Sequence, residues 1–475
     1  MSIYYVESQN GCDDADGLSE QTAWKSLARV NAHPAFAPGD QIRLKRGSVW
    51  KNETLSPKGQ GTEAASIRID AYGEGALPLI DRCGRADDTE NGTAALTLVN
   101  QSYWEIRHIA LSNRNPDGSG RAEDPVVIEN GNCRFPRRSG LSIQAHWIEG
   151  IDHVMVRGIV VESVEVRDVE GSNGDEGNCY RWAITQDRFR GMAGGCGIGV
   201  ACIDDPEGRW RAHTEDVRIE NCWVHNCSGT CLSIGSSAWR YYDSHRRTVV
   251  RGNQVTCDET AEHSPAGAYI VSAEDPLVEH SYFRNLSNGV AFQVCNGGVC
   301  RRNLVDTMHG RMVLCSRLTG RQMYWDGTGY DVDSACRGTF QIQENVAANC
   351  AEGSFSMFDL SEGGEAIVRV EDNFSFNSEH FFYHQLGFTR YRLFFKGNTV
   401  VRVSGRRRER EDEPEDNRLF YTMHNQPENG TYYFENNRFF YDGQRVEWDT
   451  TGACRYIGNH YKGLGSMLPD GVTAE

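Results

Sequence analysis

The sequence predicts an all-β parallel β-helix, a coil of short strands carrying inserted loops, on three observations. A short unit recurs along the chain, its spacing is irregular, and Gly, Asn and short β-branched or aromatic runs are dense throughout.

The unit centres on an Asn followed by an apolar or β-branched pair. It reads IENCWVHN around Asn221, VRGNQV around Asn253, CRRNLV around Asn303, IQENVA around Asn345, VEDNFSFN around Asn373, FKGNTV around Asn398 and FENNRFF around Asn437. VEHSYF fits the series with Ser281 in place of Asn. Successive positions lie 22 to 42 residues apart, which suits a rung of about two dozen residues with inserts on one side. Each unit is followed by a second short strand, such as AYIVSAE (268–274), VAFQVCN (290–296), GYDVDSAC (329–336), SFSMFDL (354–360) and FFYHQLG (381–387). A sandwich would show frequent Asn-Gly hairpin turns and a propeller a strict period, and the chain shows neither pattern.

The recurrent Asn has a physical task in such a coil. Its amide can both donate and accept, so at a tight bend it can bond the backbone of the rungs above and below. Cys202, Cys222, Cys227 and Cys231 read as small core fillers. In the opening residues, Trp24, Leu27 and Val30 follow a Ser/Glu start, which predicts a short amphipathic helix. That helix would cap the open end of the coil. The expected organisation is a single domain, with residues 1–60 as a cap region and rungs from about 60 to 465.

A formal charge of −17 disfavours a nucleic-acid partner, because phosphate binding needs a basic surface. No run of eighteen apolar residues is present, so no spanning helix and no membrane partner are expected. The opening MSIYYVESQNG lacks a basic stretch followed by an apolar one, so a cytoplasmic location is expected of the chain as written. Secretion or a periplasmic location is the alternative for a trimmed chain. Oligomeric state is left unassigned.

The stretch YYVESQNGCDDADGLSEQTAWKSLARVNAHPAFAPGDQIRLKRGSVW, with SPKGQGTEAASIRIDAYGEGALPLID and YWEIRHIALSN, resembles bacterial right-handed parallel β-helix proteins of the pectate-lyase-like superfamily. The resemblance extends over nearly the whole chain. It implies a right-handed coil and a carbohydrate partner, and it is weak on the activity, because glycosidases and lyases share the motif.

The candidate chemistry lies in GYDVDSAC. Side chains alternate along a strand, so Tyr330 and Val332 are expected in the core, with Asp331 and Asp333 on one outward face about 6 to 7 Å apart. Two carboxyls at that spacing can approach the separations of about 5 to 9 Å used by glycosidases. Mutual repulsion would split their pKa values into an acid and a base. Asp326, at the end of a long insertion, is a rival for the second carboxylate. The resemblance to β-helix glycosidases of the lacto-N-biosidase type implies two aspartates close together near the middle rungs. Asp326, Asp331 and Asp333 stand there.

Aligning the neighbouring strands puts Glu274, Gln293, Tyr383 and His384 on or near the same face as hydroxyl-orienting or ring-stacking groups. The insertion 304–328 brings His309, Arg321 and Trp325 beside it, and Asp359 lies one rung later. Exposed acids are often merely solvated, paired with arginines or bound to calcium, which is the structural alternative here. No cofactor is expected. Asp204 and Asp205 read as turn formers.

The favoured function is hydrolysis of an oligosaccharide or polysaccharide. The alternative is a polysaccharide lyase, which needs a base, commonly Lys or Arg, beside a uronate carboxyl. No lysine falls between residues 59 and 395, which leaves Arg301, Arg317 or Arg321. A non-catalytic sugar-binding coil is the third reading.

Overall fold

The computed structural model describes the chain apart from residues 85–92, 115–125, 129–131, 135–137, 170–195, 228, 238–240, 259–264, 312–325, 359–363, 386–389, 406–407, 409–417, 424–429, 443–445, 449–453, 465–467 and 475. It divides into two compact units. One comprises residues 1–239, 244–255 and 261–263, and the other residues 240–243, 256–260 and 264–475.

Both units are parallel β-helices whose turns cross three parallel sheets in succession. In the second unit, one turn runs through Val290–Gln293, Asn296–Arg301 and Leu304–Met308. The next runs through Tyr330–Val332, Arg337–Gln343 and Val346–Cys350. Each strand pairs in parallel with its counterpart one turn on, as Val290–Gln293 does with Tyr330–Val332 and that strand with Gly353–Phe358. Inward positions stack into apolar columns. Val278, Cys300, Ile342, Val370, Phe395 and Phe434 form one, in register and no more than 2% exposed.

The Asn series forms a ladder at the corner between the second and third strands of each turn. Asn345 Oδ1 accepts from the backbone N–H and side-chain amide of Asn303 at 2.9 and 3.1 Å. Asn345 in turn donates its own amide to the carbonyl of Cys300 at 2.9 Å. The same geometry repeats through Asn373, Asn398 and Asn437 to Asn459, one rung beyond the sequence motif. A short polar side chain therefore satisfies buried backbone groups that a bend would leave unpaired.

Asn221 is a correction. The position in register with the ladder is Cys222, whose N–H donates to Asn253 Oδ1 at 2.9 Å. Asn221 instead takes the left-handed backbone just before it, at φ 55°. Gly252, Arg302, Glu344, Asp372, Gly397, Asn436 and Gly458 do the same on other rungs. That recurring αL residue makes the corner, and Asn tolerates it well.

In the first unit the predicted helix is broken in two. Ser19 caps a single 3₁₀ turn, Glu20–Thr22, and Ser26 caps a helix of five residues, Leu27–Asn31. Between them Trp24 bridges in parallel to Val6 and stacks on Tyr4 with ring centroids 5.1 Å apart. Trp24, Leu27 and Val30 are all buried, so the apolar stripe was read correctly although the helix is interrupted. Cys202, Cys222, Cys227 and Cys231 are buried. Asp205 makes a turn, accepting the N–H of Arg209 at 3.0 Å.

Candidate active site

The candidate site lies wholly within the second unit, on the sheet that holds Tyr330–Val332. Gly329 stands immediately before this strand. A Cβ there would lie 2.5 Å from the carbonyl oxygen of Ser354 on the next rung, so only glycine fits. From that point the parity is set: Tyr330 turns inward, its hydroxyl 2.9 Å from the carbonyl oxygens of both Asn303 and Val346 and able to donate to either. Val332 joins Phe292 and Met357 in the core, and Asp331 takes the opposite face in register with Tyr269, Ala291, Ser356, Tyr383 and Tyr421.

Asp331 faces away from the core and is still only 2% exposed. Its Oδ1 accepts from the Ser356 hydroxyl at 2.9 Å. Burial, with Asp333 and Asp326 nearby, pushes its pKa well above the usual carboxylate range, because the charged form loses water and meets like charge.

Asp333 is partly exposed and far better supported. Its Oδ1 accepts the hydroxyl of Ser334 at 2.9 Å as well as the Ser334 N–H. Its Oδ2 accepts the Gln293 amide at 2.9 Å and the Tyr269 hydroxyl at 3.0 Å. Burial raises its pKa, while these four donors favour the carboxylate and oppose the rise. Among the described residues no cationic side chain pairs with Asp331 or Asp333.

Asp326 ends the 304–328 insertion in a left-handed conformation, φ 51°, and keeps exposed surface. The Asn288 amide reaches its Oδ2 at 3.4 Å. All three acids act on Tyr269: together with burial, the charges of Asp333, Asp326 and Asp331 raise its phenol pKa well above the ordinary value. Of the three, Asp333 is the one that Tyr269 touches.

Several residues occupy other places. Glu274 pairs with Asn296 on the adjoining sheet. The chain turns its corner at Ser272, φ 60°, so the strand aligns on Tyr269 and Val271, three residues earlier than the pattern suggested. His384 pairs with Met357 and faces the core, 2% exposed, with Nδ1 2.7 Å from the Tyr432 hydroxyl. Burial lowers its pKa to about 3, so it stays neutral.

Tyr383 does lie on the outward face, with aromatic neighbours against its ring. Tyr421 stacks on it at 4.7 Å and Phe358 packs against it at 5.5 Å. Gln293 stands where expected. His309 sits at the start of the insertion, its Nδ1 accepting the N–H of Arg311 at 3.0 Å. Arg321, Trp325 and Asp359 lie outside the described residues, as does Arg317.

Tyr269 and Ser334 were not anticipated. A signal for Tyr269 did exist. Counting two residues on from Gly267, Gly289 and Gly329 lands on Tyr269, Ala291 and Asp331, the observed register.

Comparison with solved structures meets this geometry at the level of the fold. A lacto-N-biosidase from Eubacterium ramulus superposes with a TM-score of 0.62 over 94% of this chain and 67% of that one, at 18% identity. The native form of the same enzyme gives 0.54 over 97% and 68%, at 17% identity. The chain shares their β-helix fold. A curated lacto-N-biosidase from Bifidobacterium longum is 31% identical over 135 residues. That match spans 24% of this chain and 8% of the relative's length. No family model matches the chain.

Proposed function

We propose that the protein is a glycoside hydrolase in which Asp333 is the nucleophile or base, Asp326 the general acid and Asp331 a buried carboxyl between their influences. The observation that carries this reading is the environment of Asp333. Four hydrogen-bond donors and no described cation hold one carboxylate on a partly open face, beside two further acids. A general acid must touch the glycosidic oxygen. Asp326 keeps exposed surface, whereas Asp331 is sealed at 2%.

In this scheme the Asp326 proton passes to the leaving oxygen as the C–O bond breaks. Asp333 either bonds to the anomeric carbon or takes a proton from the attacking water. Protonated Asp331 adds no charge, so Asp333 carries the negative charge of the pair, as two coupled carboxyls in unlike settings do. The absence of lysine from residues 59–395 favours this reading over elimination. The partial likeness to lacto-N-biosidases makes their activity the first to assay.

The test is a glycan panel with wild type and the Asp326→Asn, Asp331→Asn and Asp333→Asn variants. New reducing ends without an ultraviolet-absorbing unsaturated product are expected, lost in Asp326→Asn and Asp333→Asn. An unsaturated product would establish a lyase instead, and full activity in Asp333→Asn would overturn the proposal.

A further inference from the structure

The Tyr269 hydroxyl has one hydrogen and two acceptors. Its oxygen lies 2.6 Å from Gln293 Oε1 and 3.0 Å from Asp333 Oδ2. Gln293 closes the triangle, its Nε2 donating to that same Oδ2 at 2.9 Å. The proton count depends on Asp333. When the carboxyl is protonated on Oδ2, every edge is satisfied in one direction round the ring: Asp333 donates to Tyr269, Tyr269 to Gln293, and Gln293 to Asp333. When the carboxyl is ionised, the Tyr269 hydrogen is drawn to Oδ2, because a charge-assisted bond outweighs a neutral one.

We infer that Tyr269 is a positioning residue for Asp333, its hydroxyl turning from Gln293 to the carboxylate as Asp333 loses its proton and turning back as it regains one. This rests on the hydrolase reading in which Asp333 acts as nucleophile or base. Such a residue must be charged at one moment of the cycle and neutral or bonded at another. A donor that follows its charge stabilises the anion without the permanent hold of an arginine. Gln293 matters for the same reason, since it gives the hydroxyl a second place to point.

Among the described residues, the other titratable groups around Asp333 are acidic or thiol. Asp331 lies on its own strand face, Asp326 approaches from the insertion, and Cys336 follows at the corner, its thiol pushed up by burial, then by Cys295 and the Asp333 charge. Glu352 adds to the negative field at Asp331 from the next rung. In that surrounding the Tyr269 hydroxyl, the Gln293 amide and Ser334 are the groups that favour ionised Asp333.

Tyr269→Phe removes only the hydroxyl. Its expected result is an upward move of about one pH unit in the acid limb of the kcat/KM profile. We also expect about a tenfold fall in kcat, with KM changed less than about threefold. Carboxyl ¹³C NMR on aspartate-labelled protein, with the Asp333 signal assigned by its loss in Asp333→Asn, should show the same upward shift without substrate. In wild type, the ring-carbon signal of Tyr269 should titrate at the Asp333 midpoint, which tests the coupling even if Tyr269→Phe folds poorly.

An unshifted Asp333 midpoint in Tyr269→Phe, or a Tyr269 signal with no inflection there, would overturn the inference. Loss of turnover in Asp333→Asn together with either result would remove only the role of Tyr269. Retained turnover in Asp333→Asn would instead remove the hydrolase reading beneath it.

Discussion

The hydroxyl of Tyr269 and Oδ2 of Asp333 meet at 3.0 Å although 64 residues separate them in the chain. Two turns of the coil bring them together, with Gln293 on the turn between touching both. Because each turn adds one strand spacing, about 4.8 Å, side chains from alternate rungs can share one carboxylate. The predictions below follow from that rung-to-rung contact and from the corner that supports it.

Replacing Asp333 by Asn keeps the shape and removes the charge. Turnover on the responsive glycan should fall by about a thousandfold or more, with substrate affinity by calorimetry largely kept. Asp326→Asn should give a similar loss, whereas Asp331→Asn should lose less because Asp331 is sealed from the face. Equal losses at Asp326 and Asp331 would move the acid role inward.

Asp331 carries a cost that depends on pH. Its folded pKa is raised above the unfolded one, near 4, so the folded state binds more protons and stability falls as pH climbs through and above that value. Asp331→Asn removes that dependence and keeps an acceptor for Ser356. Its melting temperature should exceed that of wild type at pH 8, with the gain vanishing near pH 3. Each unit of raised pKa is worth about 1.4 kcal/mol. A gain independent of pH would contradict the assignment of a protonated Asp331.

Asn373 is the ladder member to remove. Its Oδ1 accepts from the Asn345 backbone N–H and amide at 2.8 and 3.1 Å, and its Nδ2 donates to Ile342 and Asn398 at 2.9 and 3.0 Å. Asn373→Ala strands several buried polar groups at once, so a loss of about 2 to 4 kcal/mol in chemical denaturation is expected. A change below about 0.5 kcal/mol would show that the ladder is decorative.

His384 should matter for stability and not for the reaction. Its pKa is lowered to about 3 by burial, against about 6.5 when unfolded. The unfolded chain therefore takes up more protons as pH falls below that value, and stability drops between about pH 6.5 and 3. His384→Phe should flatten that part of the melting-temperature profile and leave kcat and KM within about twofold. A large rise in KM would place His384 at the substrate after all.

Much of this architecture was legible in the residues. The Asn spacing marked the rungs because a corner that buries backbone needs a side chain with both donor and acceptor. The alternation in Tyr330-Asp331-Val332-Asp333 placed the two acids on one face because that parity is a property of a single strand. The same rule puts His384 inward once Tyr383 is outward, so its true place was available locally. Glu274 was misplaced for a different reason: nothing in AYIVSAE by itself shows that the strand ends at Ser272.

By itself, then, the sequence determined the coil, the corner ladder and the pairing of Asp331 with Asp333, all of which follow from spacing within one rung. Only the tertiary structure decided which groups meet across rungs: Tyr269 and Gln293 on Asp333, Ser356 on Asp331, Asp326 beside the other two acids, and Tyr421 over the face of Tyr383. The reason is that register between turns is set by where each corner begins and how long each insertion is. Insertions such as 304–328 change the sequence distance between neighbours without changing their distance in space.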